Sequence, residues 1–511
     1  MSLLQTVDLH ALAPVLLLAG TALAVLVADL FLPPQRRGLL AGLALAGTLA
    51  SLAAVLTLVG GRPRGTFCVP AGRLPEVVGG TAVPQSCSYV ADGYALLLQG
   101  IVLGALAVVL LLGLPTVRDT PLPAGEYHLL LLCSGTGMLT ITAGRDLLVL
   151  FVALETLSLP GYVLAGLRRD DRRAGEAALK FFLVSVVSAA VMLLGIALLY
   201  GRTGTVHLDR LAIQLADPDV RGPAAAVGVA LTLVGFAFKV SAVPFHTWAP
   251  DTYVGAPIPV AAFLSVASKV AGFAGLLAVL FVGFAPYSGV WGPALAVLAA
   301  VTMTLGNLVA LQQQHVVRLL AWSSIAQSGY VLVPLGAAAS PRARAEGLPD
   351  ALPASLTYLT VYALVNLAAF GSVAAVARRS PRNTVDDYRG LAARSPWLAA
   401  AFALALLNLA GLPPGLAGLF AKVVVFRATV EGHVVWLGVV LAVNTVIAFA
   451  YYVRLVAVLY ERVPDAPPLR VAPGPGLGAA LVLTSAAALV VGVVPQLVLH
   501  ITPLATLAGG P

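Results

Sequence analysis

The amino-acid sequence predicts an all-α, polytopic membrane protein of about fourteen transmembrane helices. Three observations predict it. Hydrophobic residues make up 59% of the 511 and charged residues 10%, against about 45–50% and about 25% in a soluble domain. The apolar residues fall in runs long enough to cross a bilayer as helix, which takes about 20 residues. Those runs do not alternate, as the strands of a membrane barrel would, each about 10 residues long. A soluble enzyme, a disordered chain and a nucleic-acid binder are thereby excluded. The net charge of +8 does not change this, because no basic run interleaves with aromatics.

The spans run roughly 11–32, 38–60, 93–114, 127–143, 146–167, 175–200, 223–246, 257–283, 291–312, 317–337, 353–377, 396–427, 433–460 and 474–503. The first reads as a true span. Its apolar run exceeds that of a usual secretory signal, and no Lys or Arg precedes it. Between the second and third lies a polar, Gly/Pro-rich loop, 61–92, that carries Cys68 and Cys87. Orientation follows from arginine, which accumulates in cytoplasmic connections. The odd-numbered connections carry more of it than the even ones. Their densest clusters are Arg168, Arg169, Arg172 and Arg173 after span 5, and Arg378, Arg379, Arg382, Arg389 and Arg394 after span 11. Odd connections are therefore expected in the cytoplasm, and both termini and the 61–92 loop outside. An oxidising exterior permits a Cys68–Cys87 disulfide; two free thiols are the other reading. Cys133, inside span 4, is expected to be a small packing residue.

Spans 7 and 12 are interrupted by proline. Span 7 reads GFAFKVSAVPFH and holds Pro244; span 12 reads NLAGLPPGLAGLFAKVVVF and holds Pro413 and Pro414. Proline removes a backbone donor and frees a carbonyl. Broken helices at corresponding places in two repeats mark a mid-membrane ion site. Spans 7 and 12 lie five apart, and an odd offset turns a unit over in the bilayer. Spans 4–8 (127–283) and 9–13 (291–460) are thus expected to form two inverted five-helix repeats. They are preceded by spans 1–3 (1–126) and followed by span 14 (474–511).

The lysines carry the chemistry. The chain has only four, Lys180, Lys239, Lys269 and Lys422, and all fall inside predicted spans. Arginine stays protonated at any biological pH, whereas a desolvated lysine can gain and release a proton. Charge inside a bilayer is costly, and where it persists it marks ion or proton paths. Against this stands a lysine that merely snorkels to the interface, a reading that weighs most on Lys180, near its span end. Glu155, in LFVALETLSLPGYVL, is the single mid-span acid. A lone carboxylate there seeks a cation, and a lysine is the natural partner. Asp29 and Asp146 read as interfacial. His246 follows Pro244 and is either a proton exit or uptake group or an interfacial cap. Gln327, Asn307 and Asn408 can hold water or a hydrogen bond but carry no charge.

Three cysteines are too few for an iron–sulfur cluster, which takes about four, and no Gly-rich phosphate fingerprint is present. Any redox chemistry would belong to other chains.

The stretch FKVSAVPFHTWAPDTYVGAPIPVAAFLSVASK at 238–269 resembles the signature of the antiporter-like membrane subunits of respiratory NADH:quinone oxidoreductase, complex I. The order Ser-Ala-Val-Pro-Phe-His, then Trp-x-Pro-Asp-x-Tyr, is closer to one of these sister subunits than to the rest. FVALETLSLPGYVL at 151–164, ALKFFLVSVVSAAVMLLGIALLYGRTGT at 178–205 and RLLAWSSIAQSGYVLV at 318–333 support it. The resemblance covers roughly 90–505. It implies fourteen helices, inverted repeats over helices 4–8 and 9–13, and external termini. It also implies that Glu155 and Lys239 pair across helices 5 and 7. Lys180 would be an additional lysine of helix 6, Lys269 the central one of helix 8 and Lys422 the distal one of helix 12. The implied activity is proton translocation along this Glu/Lys relay in a bacterial plasma membrane. The partners are other membrane subunits and the lipid bilayer, with no nucleic acid. No cofactor or metal is expected on this chain; NADH, FMN, iron–sulfur clusters and quinone belong to partner subunits. The chain departs from the pattern at Gln327, where many relatives have a His, and at Val254, where an acid is common. The alternative is a subunit of a multisubunit sodium/proton antiporter, from the related family that shares the fold. A stand-alone solute transporter would need a cavity of mixed polar residues, and a structural scaffold would leave the buried lysines unexplained.

Overall fold

A computed structural model of the chain describes residues 7–69, 77–78, 81–82, 85–346, 348, 350–463 and 474–507. In chain order the long elements begin with α1 (Leu9–Phe31) and α2 (Gly38–Leu58). Four short strands follow: β1 (Arg64–Cys68), β2 (Val77–Val78), β3 (Thr81–Ala82) and β4 (Cys87–Ala91). Next come α3 (Gly93–Asp119), α4 (Ala124–Ala143), α5 (Leu147–Ala165) and α6 (Arg172–Thr203). The short α7 (Leu208–Ala216) leads to α8 (Pro223–Lys239), α9 (Trp248–Gly255), α10 (Ile258–Ser265) and α11 (Ala267–Ala278). The second half holds α12 (Ser288–Leu311), α13 (Val316–Leu332), α14 (Pro341–Ala345), α15 (Ala351–Ala377), α16 (Leu391–Arg394), α17 (Pro396–Ala410), α18 (Leu416–Glu431) and α19 (Val435–Tyr460). It closes with α20 (Pro475–Val493) and α21 (Gln496–Leu504).

Among the described residues, eleven helical segments are long and apolar enough to cross a membrane. The other three expected spans differ for physical reasons. Residues 127–143 lie in α4, a 20-residue helix made less apolar by Glu126, His128 and a run of Ser, Gly and Thr. Span 7 is α8, broken after Lys239, and the helix that resumes, α9, lies past the expected end at 246; span 12 is divided, as expected, into α17 and α18. The first break has Ser241 at φ 59° and a cis Val243–Pro244 bond; the second has Gly411 at φ 67° and a cis Pro413–Pro414 bond. A third break was not expected. Span 8 divides at Val266 (φ −115°, ψ −73°) into α10 and α11.

The breaks keep their backbone groups paired, as they must away from water. In the first, Ala242 N–H donates to Ala237 O at 2.8 Å and Trp248 Nε1 to Phe238 O at 3.1 Å. Val243 N–H donates to Thr302 Oγ1 of α12 at 3.0 Å. In the second, Gly418 N–H donates to Asn408 Oδ1 at 3.2 Å. A Cβ on Gly418 would stand 1.7 Å from Asn408 O, so only glycine lets α18 approach α17 this closely.

The connections alternate between two faces. On one, β4 and the turns after α4 and α6 join through the Tyr89–Gly144 and Asp146–His207 bridges. There β1 pairs antiparallel with β4, Cys68 opposite Cys87, and a disulfide joins the two. On the other face His315 bridges Thr384, Arg378 pairs with Asp119 at 2.8 Å, and Arg168 donates to Gly255 O at 2.5 Å. The core lies along the middle of the molecule. The α10–α11 span is 94% buried, and those of α13 and α15 are each 89% buried, against 28% for α1 and 33% for α2 and α6. Outer helices turn apolar side chains such as Leu23, Leu56 and Val187 outward, as lipid contact requires.

Candidate functional site: a line of buried cations

The three buried lysines sit where a helix is broken or begins. Lys239 is the last residue of α8 and 1% exposed. Its Nζ donates to Ser158 Oγ of α5 at 2.9 Å and lies 5.8 Å from the centre of the Phe181 ring. Its stem packs on α11, where a Cβ on Gly272 would meet Lys239 Cγ at 3.0 Å. One turn before Gly272 on the same helix is Lys269, also 1% exposed. Lys269 Nζ donates to Ser324 O and, at 2.9 Å, to Ser328 Oγ, both on α13. Lys422, on α18, donates to Ala410 O at 2.6 Å, and its Nζ stands 4.6 Å from the centre of the Tyr330 ring. That carbonyl closes α17, and the C-terminal end of a helix dipole favours a cation.

Helix α13 joins the two halves of this line. Ser324 and Ser328 face Lys269. Gln327 faces the second break: its Nε2 donates to Leu409 O at 3.1 Å and to Tyr452 Oη at 3.3 Å, while Tyr358 Oη donates to its Oε1. Tyr452 and Ser323 share a hydrogen bond, as do Ser324 and Tyr362. Asn307 links Tyr330 to Tyr451 and Asn444. Buried polar groups of this density are costly unless paired. Paired, they form two hydrogen-bonded groups along α13, Ser324, Ser328 and Tyr362 beside Lys269, and Ser323, Gln327, Tyr358 and Tyr452 beside the second break.

Two expectations change. Glu155 and Lys239 form no contact ion pair in this structure. Lys239 is on Ser158, and Glu155 Oε1 is buried without a hydrogen-bond partner. Lys180 is not buried. Its side chain is 46% exposed and pairs with Glu176 at 2.6 Å and Asp251 at 2.8 Å, and Asp251 also takes Arg318 at 3.0 Å. Four carbons of stem carry its charge out to that ionic cluster. His246 is 7% exposed and sits 5.4 Å, ring to ring, from Trp322 of α13. Asp29 pairs with Arg37 at 3.4 Å and Asp146 caps α5. No cluster of three or more metal-ligating side chains occurs among the described residues.

Sequence reasoning missed Ser158, Ser324, Ser328, Tyr358, Tyr362 and Tyr452. A hydroxyl is common inside membrane helices, where it can bond its own backbone. The available signal was spacing: Ser324 and Ser328 are four apart on one helical face, and Ser158 is one turn from Glu155.

A family model described as "NADH:quinone oxidoreductase/Mrp antiporter, TM" matches residues 144–448. NADH-quinone oxidoreductase subunit N 2 of Streptomyces griseus is 50% identical over 98% of this chain and 94% of its own length. Subunit N of Salinispora tropica is 48% identical over 90% of this chain and 87% of its own. A chain of respiratory complex I from Thermus thermophilus superimposes with a TM-score of 0.75 at 32% identity, covering 98% of this chain and all of that one. A chain of the Mrp complex from Dietzia reaches 0.82 at 22% identity over 98% of this chain and 97% of its own, a likeness of fold alone.

Proposed function

Since this chain belongs to the subunit N family of NADH:quinone oxidoreductases, we propose that it translocates protons as a membrane subunit of such an enzyme. The observation that carries this reading is the line Lys239–Lys269–Lys422 with its hydroxyl and amide partners. Each lysine is a titratable cation buried in the protein, and each rests on a neutral acceptor that holds an ammonium without fixing it by a full counter-charge. In the cycle, Glu155 stabilises the Lys239 ammonium. A charge change arriving from a neighbouring subunit weakens that interaction. Two unit charges 4 Å apart interact by about 4 kcal/mol at an effective dielectric of about 20, enough to turn a holder into a donor. Lys239 then passes a proton through waters to Lys269, and Lys422 releases it on the far side. Lys180, in its ionic cluster on the arginine-rich face, modulates loading.

The arginine-rich face is cytoplasmic and both termini are external, in a bacterial plasma membrane. Residues 127–283 and 291–460 act as the two inverted repeats. This chain carries no redox centre; NADH oxidation and quinone reduction belong to partner subunits, which hold their cofactors. The antiporter reading is favoured only by the shared family description and the fold. Mild-detergent purification of the tagged native chain separates the two. A large assembly with NADH:quinone reductase activity is the expected result. A chain that arrives without that activity, in vesicles that exchange Na⁺ for H⁺, would overturn it.

A further inference from the structure

We propose that Ser158 is a positioning residue that gives the Lys239 ammonium a second seat, alternating with Glu155 three residues earlier on the same face of α5. Ser158 is 0% exposed. Its hydroxyl proton is committed to Leu154 O at 2.5 Å, so the lone pairs of Oγ are what it offers Lys239, at 2.9 Å. Glu155 and Ser158 are separated by about 4.5 Å of helix rise, and residues three apart are neighbours on a helix surface. Glu155 Oε1 is buried and has no hydrogen-bond partner. A buried carboxylate oxygen left this way is costly unless another arrangement of the site serves it. Lys239 already sits on Ser158, one turn from Glu155 on the same helix face, and its four-carbon stem and three rotatable N–H groups allow the change of partner. Tyr162, one turn beyond Ser158 and hydrogen-bonded to Ser185 of α6, backs the seat. Phe181 lies beside Lys239. On Glu155 the ammonium is neutralised; on Ser158 it is held by a hydroxyl alone, and from that seat it gives up its proton. No proton changes hands in the swap itself.

The inference rests on the proton-translocation reading, and the test keeps the two apart. The intact assembly is measured in membrane vesicles for NADH oxidation and for protons pumped per NADH. Ser158→Ala, and Ser158→Cys, which keeps the volume with a weak acceptor, are both expected to lose pumping per NADH while the assembly forms. Ser158→Thr, which keeps the hydroxyl, restores it. Glu155→Gln made on top of Ser158→Ala adds less loss than in the parent, because both substitutions disable one two-seat device. If Lys239→Met abolishes pumping but Ser158→Ala and Ser158→Cys pump at the parental ratio, the second seat is overturned and the reading stands. If Lys239→Met pumps normally, the reading itself falls.

Discussion

At the scale of the residue, the account rests on lysine's ability to lose a proton. Lys422 isolates that property. Arg in its place keeps the charge and can still donate to Ala410 O, but it does not deprotonate. Lys422→Arg is expected to assemble and to lose proton pumping, read as protons per NADH; normal pumping would show that only a fixed charge is needed. Gln327 tests the hydrogen-bonded groups rather than the carriers. Leu there leaves Leu409 O, Tyr358 Oη and Tyr452 Oη short of a partner, at a cost of about 1–3 kcal/mol for each buried group left unpaired. Gln327→Leu is expected to lower the thermal unfolding midpoint of the purified assembly, and Gln327→His, which can bond the same neighbours, to lower it less. The lysines were legible from composition alone, since four in 511 residues all fell inside apolar runs. Their acceptors were not. Which carbonyl or hydroxyl meets an ammonium is set by helix packing, and nothing in GFAFKVSAVPFH points to Ser158. Lys180 shows the opposite limit. A long stem lets its charge leave the span in which its Cα sits.

At the scale of the element, the two proline breaks were readable because Pro244, Pro413 and Pro414 cannot be housed in a continuous helix. The break at Val266 was not, since Phe263-Leu264-Ser265-Val266-Ala267 contains no residue that forbids helix. Tertiary contacts make it: Tyr362 Oη donates to Ser265 O and Asn366 Nδ2 to Ser265 Oγ. The start of α13 gives a pH-dependent prediction. His315 caps it, with Nδ1 accepting from Arg318 N–H at 3.4 Å. Burial, and then the nearby Arg173 and Arg318, hold this imidazole below its ordinary range. The unfolded chain therefore binds the proton more readily. The stability from this cap is full above about pH 6.5, the ordinary His value, and is lost as pH falls through the lower folded value. His315→Asn, which caps without titrating, is expected to flatten the acid limb of a thermal-stability profile between about pH 5 and 7. An unchanged limb would assign that dependence elsewhere.

At the scale of the whole molecule, the alternation of arginine-rich and arginine-poor connections is matched by contacts that gather odd connections on one face and even ones on the other. Which helices occupy the centre was less legible, because every span is apolar. One trace existed: α13, almost wholly buried, is the least apolar of the unbroken spans. Its Ser323, Ser324, Gln327 and Ser328 face protein rather than lipid. That inversion follows from the solvent being hydrocarbon, so that polarity turns inward. The same geometry makes α13 the bridge between halves, with Lys269 on one side and the second break on the other. Lys269 is the midpoint of the line, and no carboxylate pairs with it among the described residues. Its removal leaves both flanking lysines in place. The most direct test is therefore Lys269→Met in the intact assembly, reconstituted in sealed vesicles and measured for protons translocated per NADH oxidised. The account predicts an assembly of normal composition that no longer pumps at the parental ratio. A parental ratio would contradict it, because protons would then cross without the residue through which the proposed line must pass.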